Sequence, residues 1–327
     1  MSVTIERCAP HQADELVRFI DDEWERGHVL ASSRALLDWQ YKNGDGSYSF
    51  LVARQRGTIV GMLGYISTKR YDPSLADANV VWLTTWKVRA DANVAGLGLS
   101  LLRHVDETER HVAIGAIGFN PATRPMYAAL GYRIGELPHY VAVPNRSPAA
   151  RGLAAVEVDG ASQCDGLRIS SDRGRVPQKS PRYFRTRYLE HPFYRYRLVS
   201  LRDGDACVGL LAVRLAEHDG LRALRIVDFL GDPGALAQSG GAIQSMIREH
   251  DAAYADVYNA GIDADVFAHA GFRLVDPDGD TIVPDHFEPF ERKNIRLWYA
   301  IRTVALPILF KGDADQDRPN RLPSRAA

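Results

Sequence analysis

The chain has 327 residues, of which 46% are hydrophobic and 25% are charged, and this composition excludes collagen-like, coiled-coil and wholly disordered proteins. At about 150 residues per domain, the length predicts two domains. The 40 lysines and arginines and the 41 aspartates and glutamates leave a net charge of −1, so we expect no nucleic-acid partner and no anionic membrane partner.

The cysteines and the apolar segments indicate a protein without disulfides, structural zinc or export signal. Cys8, Cys164 and Cys207 lie far apart and lack C-x-x-C spacing, so we predict no metal site. The first residues lack the apolar core of a signal peptide. Residues 295–310 contain two arginines and a proline and are shorter than the ~20 residues of a membrane span. We therefore predict a cytoplasmic protein with no membrane span.

The first 145 residues alternate between strand-like and helix-like hydrophobic patterns. The predicted elements are a strand at 3–8, helices at 13–26 and 31–41, a hairpin at 49–53 and 59–67, a strand at 79–88, a helix at 97–110, a strand at 112–119, a helix at 122–130 and a strand pair at 132–143. This order predicts an α+β fold, in which helices flank a mixed and mostly antiparallel sheet with one parallel crossover.

The composition changes after this segment, where Pro, Ser, Gly and Asp become frequent. The predicted divisions are an N-terminal domain at 1–145, a linker at 146–180, a second domain at 181–310 and a disordered tail at 311–327. Asp313, Asp315 and Asp317 alternate in the tail as carboxylates of a calcium loop do, but the Gly and the distal Glu of that loop are missing. We interpret the tail as solvated.

The two predicted domains share an order of residues that indicates a repeat. The matching positions are Asn120 and Asn259, Tyr127 and Phe267, Gly131 and Gly271, Tyr132 and Phe272, and, in the hairpins, Gly61 and Gly209. These matches predict two tandem copies of one α+β fold.

A Gly-x-Gly pair opens the helix that follows the strand 79–88. Gly96 and Gly98 allow backbone N–H groups to turn towards one point at the positive end of the helix dipole, which is how proteins cradle a phosphate. The Gly-Lys-Ser/Thr ending of a P-loop and the third glycine of a dinucleotide fingerprint are missing. Glycines also cap turns for structural reasons, so this pair alone is a weak indication.

The cradle becomes specific in its context, because it resembles the pyrophosphate-binding motif of the GNAT acetyltransferase superfamily. Val88, Asn93, Gly96 and Gly98 stand at its four diagnostic positions, with Asn93 in place of the family's Arg or Gln and Ala90 in place of its Pro.

A second signature of that superfamily is similar to residues 120–132. Asn120, Tyr127, Gly131 and Tyr132 are in register with it, while Thr123 occupies its Ala position. Two motifs in the correct order identify the first domain as a GNAT member, and they imply that each domain has the GNAT fold.

The resemblance implies a site for acetyl-CoA as cosubstrate. The residues that it assigns to acetyl-CoA binding are Trp86, Val88, Asn93, Val94, Ala95, Gly96, Leu97, Gly98 and Asn120. Tyr127 is the implied catalytic acid, which donates a proton to the departing thiolate. Packing on the sheet is the alternative role for Tyr127, and a helix cap is the alternative for Asn120. Phe267 cannot donate a proton, so the second copy is interpreted as degenerate, a scaffold or a wall of the acceptor pocket.

The general base stays unassigned, because the strand Val80 to Trp86 has no carboxylate. The candidates are Asp77, Asp91, the cluster Asp21-Asp22-Glu23, His139, and Thr84 or Thr85 as orienting groups for a water. We predict an acetyl-CoA-dependent N-acyltransferase that acetylates a primary amine of a small molecule, such as an amino sugar. The alternatives are a non-catalytic acyl-CoA sensor or scaffold and an interaction module without CoA.

Overall fold

The computed structural model describes residues 3–145, 152–170 and 174–318. Its strands are β1 (Thr4–Arg7), β2 (Phe50–Gln55), β3 (Thr58–Ser67), β4 (Val80–Val88), β5 (Ala113–Ile117), β6 (Arg133–Leu137), β7 (His139–Ala142), β8 (Ala154–Glu157), β9 (Arg175–Val176), β10 (Arg197–Asp203), β11 (Ala206–His218), β12 (Leu221–Gly231), β13 (Tyr254–Ala260), β14 (Arg273–Leu274), β15 (Leu297–Thr303), β16 (Leu306–Pro307) and β17 (Leu309–Phe310). Its α-helices are α1 (Ala13–Phe19), α2 (Val29–Ser32), α3 (Arg34–Tyr41), α4 (Leu97–Thr108), α5 (Arg124–Ala129), α6 (Gly160–Gly166), α7 (Pro181–Phe184), α8 (Pro233–Ala237), α9 (Gly240–Glu249) and α10 (Ala264–His269). Within these ranges no helix is long and apolar enough to cross a membrane.

The first sheet has seven strands in the order β1-β2-β3-β4-β5-β15-β6. Neighbours are antiparallel except for the parallel pair β4 and β5, which α4 connects. Successive strand residues point to opposite faces, and both faces are covered. Phe50 and Val52 pack in the core that includes α1 to α3, while Leu51 and Ala53 pack in the core that includes α4 and α5. The predicted α+β fold is confirmed.

The second sheet repeats the first, which confirms the tandem arrangement. In the direction from β8 its order is β8-β10-β11-β12-β13-β7-β14, and its parallel pair is β12 and β13. The same β-bulge also occurs in both sheets. It directly follows the last paired residue of the parallel strand, at Thr84–Thr85 after Leu83 in β4 and at Val227 after Ile226 in β12.

The two sheets exchange one strand each, so their borders differ from the predicted domains 1–145 and 181–310. Strand β7, from the end of the first half, lies between β13 and β14, and β15, from the end of the second half, lies between β5 and β6. Glycines make room for β15: a Cβ on Gly115 would lie 2.7 Å from the carbonyl oxygen of Ala300, and one on Gly135 would lie 2.7 Å from the Tyr299 ring. Strand periodicity indicates a buried face but not the neighbouring strand, so the sequence could not reveal the exchange.

The predicted linker 146–180 also contributes to the second sheet. Strand β8 pairs with β10, and Cys164 on α6 is fully buried. Residues 146–151 and 171–173, where part of the linker was predicted, lie outside the described residues.

The prediction of a disordered tail at 311–327 is wrong for residues 311–318. We call residues 309–318 the C-terminal strap. Asp313 lies 2.7 Å from the Lys179 ammonium, and Asp317 accepts hydrogen bonds from Arg187 at 2.7 Å and Tyr196 at 2.6 Å. These partners are more than a hundred residues away along the chain, so local composition gives no sign of them. Residues 319–327 lie outside the described residues.

We expect Asp313→Asn to stabilise the protein above neutral pH. Burial raises the pKa of Asp313 from its ordinary 3.8 to about 7, although Lys179 opposes the shift. A carboxyl whose pKa is higher in the folded than in the unfolded state contributes stability below pH 3.8, and that contribution is lost as the pH rises through about 7. The variant should therefore gain about 1–3 kcal/mol in the free energy of unfolding at pH 8 and little at pH 5, measured by urea denaturation.

Asp228→Asn is the matched control for this effect. Asp228 accepts hydrogen bonds from Lys179 at 2.5 Å, from the Tyr188 hydroxyl at 2.8 Å and from the backbone N–H of Phe229 at 2.8 Å, so its replacement should destabilise the protein at both pH values. Equal losses of stability at pH 8 for both variants would contradict the unfavourable ionisation of Asp313.

Candidate functional site

A cleft opens in the first sheet where β4 and β5 separate. Their pairing ends at Leu83 and Ala116, directly before the bulge at Thr84–Thr85, and β4 continues to Val88. Bulges bend a strand and end its pairing. The cleft has a volume of about 560 Å³, and the residues that line it are Trp24, His28, Leu83, Thr84, Thr85, Trp86, Val88, Gly98, Ala116, Ile117, Gly118, Phe119, Asn120, Thr123, Met126, Tyr127, Asp315 and Gln316.

The predicted phosphate cradle lies at one end of this cleft. Gly96 is the N-cap of α4 and has a φ of 72°, and Asn93 has a φ of 49°. Gly98 follows in the first turn and lies against the Trp86 indole, because a Cβ on Gly98 would be 3.4 Å from its ring nitrogen. The N–H groups of a first helical turn have no acceptor within the helix. They carry partial positive charge and can receive an anion that enters from the cleft.

The nine residues predicted to bind the cosubstrate divide into two sets. Trp86, Val88, Gly98 and Asn120 line the cleft. Asn93, Ala95 and Gly96 are exposed on the loop before α4, Val94 is half-buried there, and Leu97 is buried in the core. Only the backbone of Leu97 is therefore available to a ligand.

Tyr127 lies inside the cleft on α5. Its ring packs against Phe119 at a centroid distance of 4.8 Å, Tyr132 at 5.1 Å and Trp86 at 6.3 Å. Burial raises the pKa of its phenol above the ordinary 10, so the hydroxyl is protonated at neutral pH. Both roles considered from the sequence are therefore compatible with this position, since the ring is packed and the residue lines the cleft.

Asn120 is a helix cap, as the sequence permitted. Its side-chain oxygen accepts a hydrogen bond from the backbone N–H of Ala122 at 3.0 Å. Asn259, its counterpart in the second sheet, accepts from Ile262 at 3.1 Å in the same manner. The Asn259 amide nitrogen then donates to the carbonyl oxygen of Leu309 in the C-terminal strap at 3.0 Å.

The strap occupies the corresponding opening in the second sheet. The β12–β13 pairing ends at Ile226 and Val257, and beyond it β17 pairs with Asn259 and Ala260 of β13. Gly312 of the strap lies against β12, on the other side of the opening, because a Cβ on Gly312 would be 2.8 Å from the carbonyl oxygen of Val227 in β12. The chain itself thus fills the place that is open between β4 and β5.

Phe267, the counterpart of Tyr127, is fully buried and stacks on Tyr140 at 4.1 Å. With a filled opening and a phenyl ring in place of the phenol, the second copy has neither a vacant cleft between β12 and β13 nor an acid at this position.

Most of the candidates for a base lie away from the cleft. Asp77 is exposed and bridges Arg110 at 3.1 Å, and Arg89 bridges Asp91 at 2.7 Å and Glu23 at 3.7 Å. Asp21 accepts a hydrogen bond from the backbone N–H of Gly27, and neither it nor Asp22 is among the lining residues.

His139 belongs to the second sheet. Its ring lies 2.9 Å from Asp256, which also accepts hydrogen bonds from Arg225. The sequence makes His139 a candidate base, but the strand exchange places it in the second sheet, outside the lining of the cleft. Thr84 and Thr85 do line the cleft, and the Thr84 hydroxyl is 3.0 Å from the Tyr41 hydroxyl.

Sequence reasoning missed several residues of the cleft, including Trp24, His28, Asp315 and Gln316. His28 accepts a hydrogen bond at Nδ1 from the Leu30 N–H at 3.2 Å, so its Nε2 carries the proton. Burial lowers the pKa of His28 to about 4, and the ring is neutral at pH 7. Asp315 was noted only in an alternation of aspartates, and neither it nor Gln316 was assigned to the site, because their segment has the composition of a solvated tail.

Known proteins share this fold. Residues 13–132 match the model of the acetyltransferase (GNAT) family. The chain is similar to a GCN5-related N-acetyltransferase from Kribbella flavida, with 16% identity, 93% of this chain and 71% of that chain covered, and a TM-score of 0.57. A GCN5-related N-acetyltransferase from Anabaena variabilis is 12% identical, with 93% and 73% covered and a TM-score of 0.56. No curated protein matches the sequence.

The match over residues 13–132 indicates the class of the acyltransferases. Residues 13–132 are thus similar to the acetyltransferase (GNAT) family. At 12–16% identity the solved structures show the fold alone, and they extend it over both halves of the chain.

Proposed function

We propose that the protein transfers an acetyl group from acetyl-CoA to a primary amine of a small molecule, such as an amino sugar, in the cleft between β4 and β5. The observation that carries this proposal is the arrangement of one cleft with an anion cradle at its end, at Gly96 and Gly98, and a buried protonated phenol inside it, at Tyr127. A phosphate group and a thioester on one extended molecule match these two features.

The second sheet supports a binding mode in which part of acetyl-CoA lies in the cleft as an added strand. There the strap lies in the opening as an added strand, with its Leu309 carbonyl held by Asn259. The pantetheine arm of CoA is also an extended chain with amide groups. In the first sheet it can pair with the free edge of β4 beyond Leu83, and the Asn120 amide can donate to one of its carbonyls.

The groups that line the cleft can then carry out acyl transfer. The neutral amine attacks the thioester carbon, and a backbone N–H on the open edge of β4 stabilises the oxyanion of the tetrahedral adduct. As the C–S bond breaks, the thiolate takes a proton from the Tyr127 hydroxyl. The attacking nitrogen gives up one proton, the Tyr127 phenolate regains one from water, and the products are an N-acetyl amide and CoA.

Replacement of Gly96 by Asp and by Asn tests the binding step. Both residues tolerate the left-handed backbone at this position and differ mainly in charge. A carboxylate beside the phosphates of acetyl-CoA should weaken binding about tenfold relative to the Asn variant. The measurement is a calorimetric titration of the full chain with acetyl-CoA, and the difference should shrink in high salt.

Equal affinity of the two variants would remove the cradle from phosphate binding, and absence of acetyl-CoA binding by the unaltered protein would refute the proposed function. The lack of a carboxylate on β4 favours the alternative that the protein is an acyl-CoA sensor. A measurement of turnover distinguishes this alternative from the proposed enzyme. A sensor binds acetyl-CoA but releases no thiol when amines are added.

A further inference from the structure

The C-terminal strap is held firmly on both sides of the two residues that it places in the cleft of the first sheet. Before them, Asp313 is paired with Lys179. After them, Asp317 accepts from Arg187, and Arg318 donates to Gln40 at 2.7 Å. These side chains are buried. Anchors this close in the chain leave the segment between them little conformational freedom.

The cleft also has the space that this segment requires. Gly118, directly after β5, has a φ of 76° and no side chain, and a Cβ there would overlap the Gln316 amide. The volume of about 560 Å³ remains with the strap in place, so the strap forms a wall of the cleft and does not close it.

Asp315 is the charged residue of this cleft. Among the described residues that line it, the others are apolar or carry neutral polar groups, and His28 is neutral at pH 7. The Asp315 side chain is 16% exposed and accepts hydrogen bonds from the Gln316 amide at 3.0 Å and from the paired Arg318 guanidinium at 3.4 Å. Since Arg318 makes its shorter contact with Gln40, and a carboxylate has about four acceptor positions, Asp315 can receive further donors.

We propose that Asp315, carried by the strap from the second half of the chain, binds the ammonium group of the acceptor and receives its proton during transfer. The acceptor class is a primary amine without a neighbouring carboxylate, because the lining of the cleft offers no cationic side chain among the described residues. The exposed indole of Trp24 at the rim is a further surface for a cation. This inference rests on the proposed function.

The protons balance in this scheme. Asp315 first takes one proton from the bound ammonium group and releases it to water, so that the amine attacks in its neutral form. The new C–N bond leaves a positive charge on its nitrogen. That nitrogen passes a proton to the Asp315 carboxylate, while the departing thiolate takes one from Tyr127. Asp315 then releases its proton to water, the Tyr127 phenolate regains one, and both groups return to their starting forms.

The test uses the full-length chain and a matched pair of acceptors, phenethylamine and L-phenylalanine, which differ by one carboxylate. The unaltered protein should release thiol from acetyl-CoA with a kcat/KM at least tenfold higher for phenethylamine. Asp315→Asn should lower that kcat/KM about 100-fold, through both a higher KM and a lower kcat, and narrow the discrimination between the two acceptors. The affinity for acetyl-CoA should stay within twofold. Asp315→Glu should restore part of the activity, and the exposed Asp77→Asn should have no effect.

Each of the other possible results of this test contradicts a different part of the proposal. Unchanged or increased turnover by Asp315→Asn would overturn the assignment of Asp315, and the increase would show that the strap restrains the enzyme. Equal use of both acceptors by the unaltered protein would overturn the acceptor class. Absence of acetyl-CoA binding would refute the proposed function itself, and the inference with it.

Discussion

A chain that ends at residue 150 is expected not to fold. Such a chain lacks β15, which lies inside the first sheet and pairs with β5 through Tyr299 to Thr303 and with β6 through Leu297 to Ile301. It also loses the buried side chains of Leu297, Ala300 and Ile301. About ten backbone hydrogen bonds at roughly 1 kcal/mol each, and the burial of two large aliphatic side chains at about 2 kcal/mol each, equal or exceed the usual stability of a domain.

Circular dichroism and a urea titration of the truncated chain measure this effect. We expect no cooperative transition and no acetyl-CoA binding. A chain that ends at Arg318 retains every described element and is the control that should unfold cooperatively. A folded, acetyl-CoA-binding fragment 1–150 would show that β15 is dispensable and that the first half is an independent domain.

Tyr127→Phe is expected to lower kcat by about 10²–10⁴-fold, the usual contribution of a general acid. The phenyl ring keeps the contacts with Phe119, Tyr132 and Trp86, so the fold and the affinity for acetyl-CoA should change little. Thiol release with saturating amine gives kcat, and calorimetry gives the affinity. A loss in kcat with an unchanged dissociation constant would support transfer of the phenolic proton to the thiolate.

Tyr132→Phe is the matched control. Tyr132 is a neighbouring buried tyrosine that does not line the cleft, and its hydroxyl has no hydrogen-bond partner in the described part of the chain. Its replacement should leave kcat within about twofold. If both variants turn over at the rate of the unaltered protein, Tyr127 has only a packing role and water supplies the proton.

Local patterns were enough to predict the repeated α+β fold. A strand, a helix and the glycines that begin or end them depend on residues close together in the chain, which is why Gly96 could be placed at the start of α4 and Asn120 at the start of a helical turn. The same locality explains the positions of Tyr127 and Phe267, because each follows its capping Asn by a similar interval in the two copies.

These local patterns could not predict interactions between residues that are distant along the chain. The partners of the strap, Lys179 and Arg187, neutralise aspartates that are polar and uninformative in sequence. Burial of a charge is possible only when its counterion is near, and nearness here depends on the whole fold. For this reason the tail was predicted to be disordered, and Asp315 was missing from the candidate bases.

The sequence by itself thus predicted the resemblance to the GNAT family, the two copies, the cradle at Gly96 and Gly98 and the candidate acid Tyr127, since each depends on short-range spacing. Only the tertiary structure decided which strands the copies exchange, that the strap fills the second opening, and that Asp315 enters the first. Strand pairing and ion pairing join residues that are remote along the chain, and their geometry exists only after both halves have packed together.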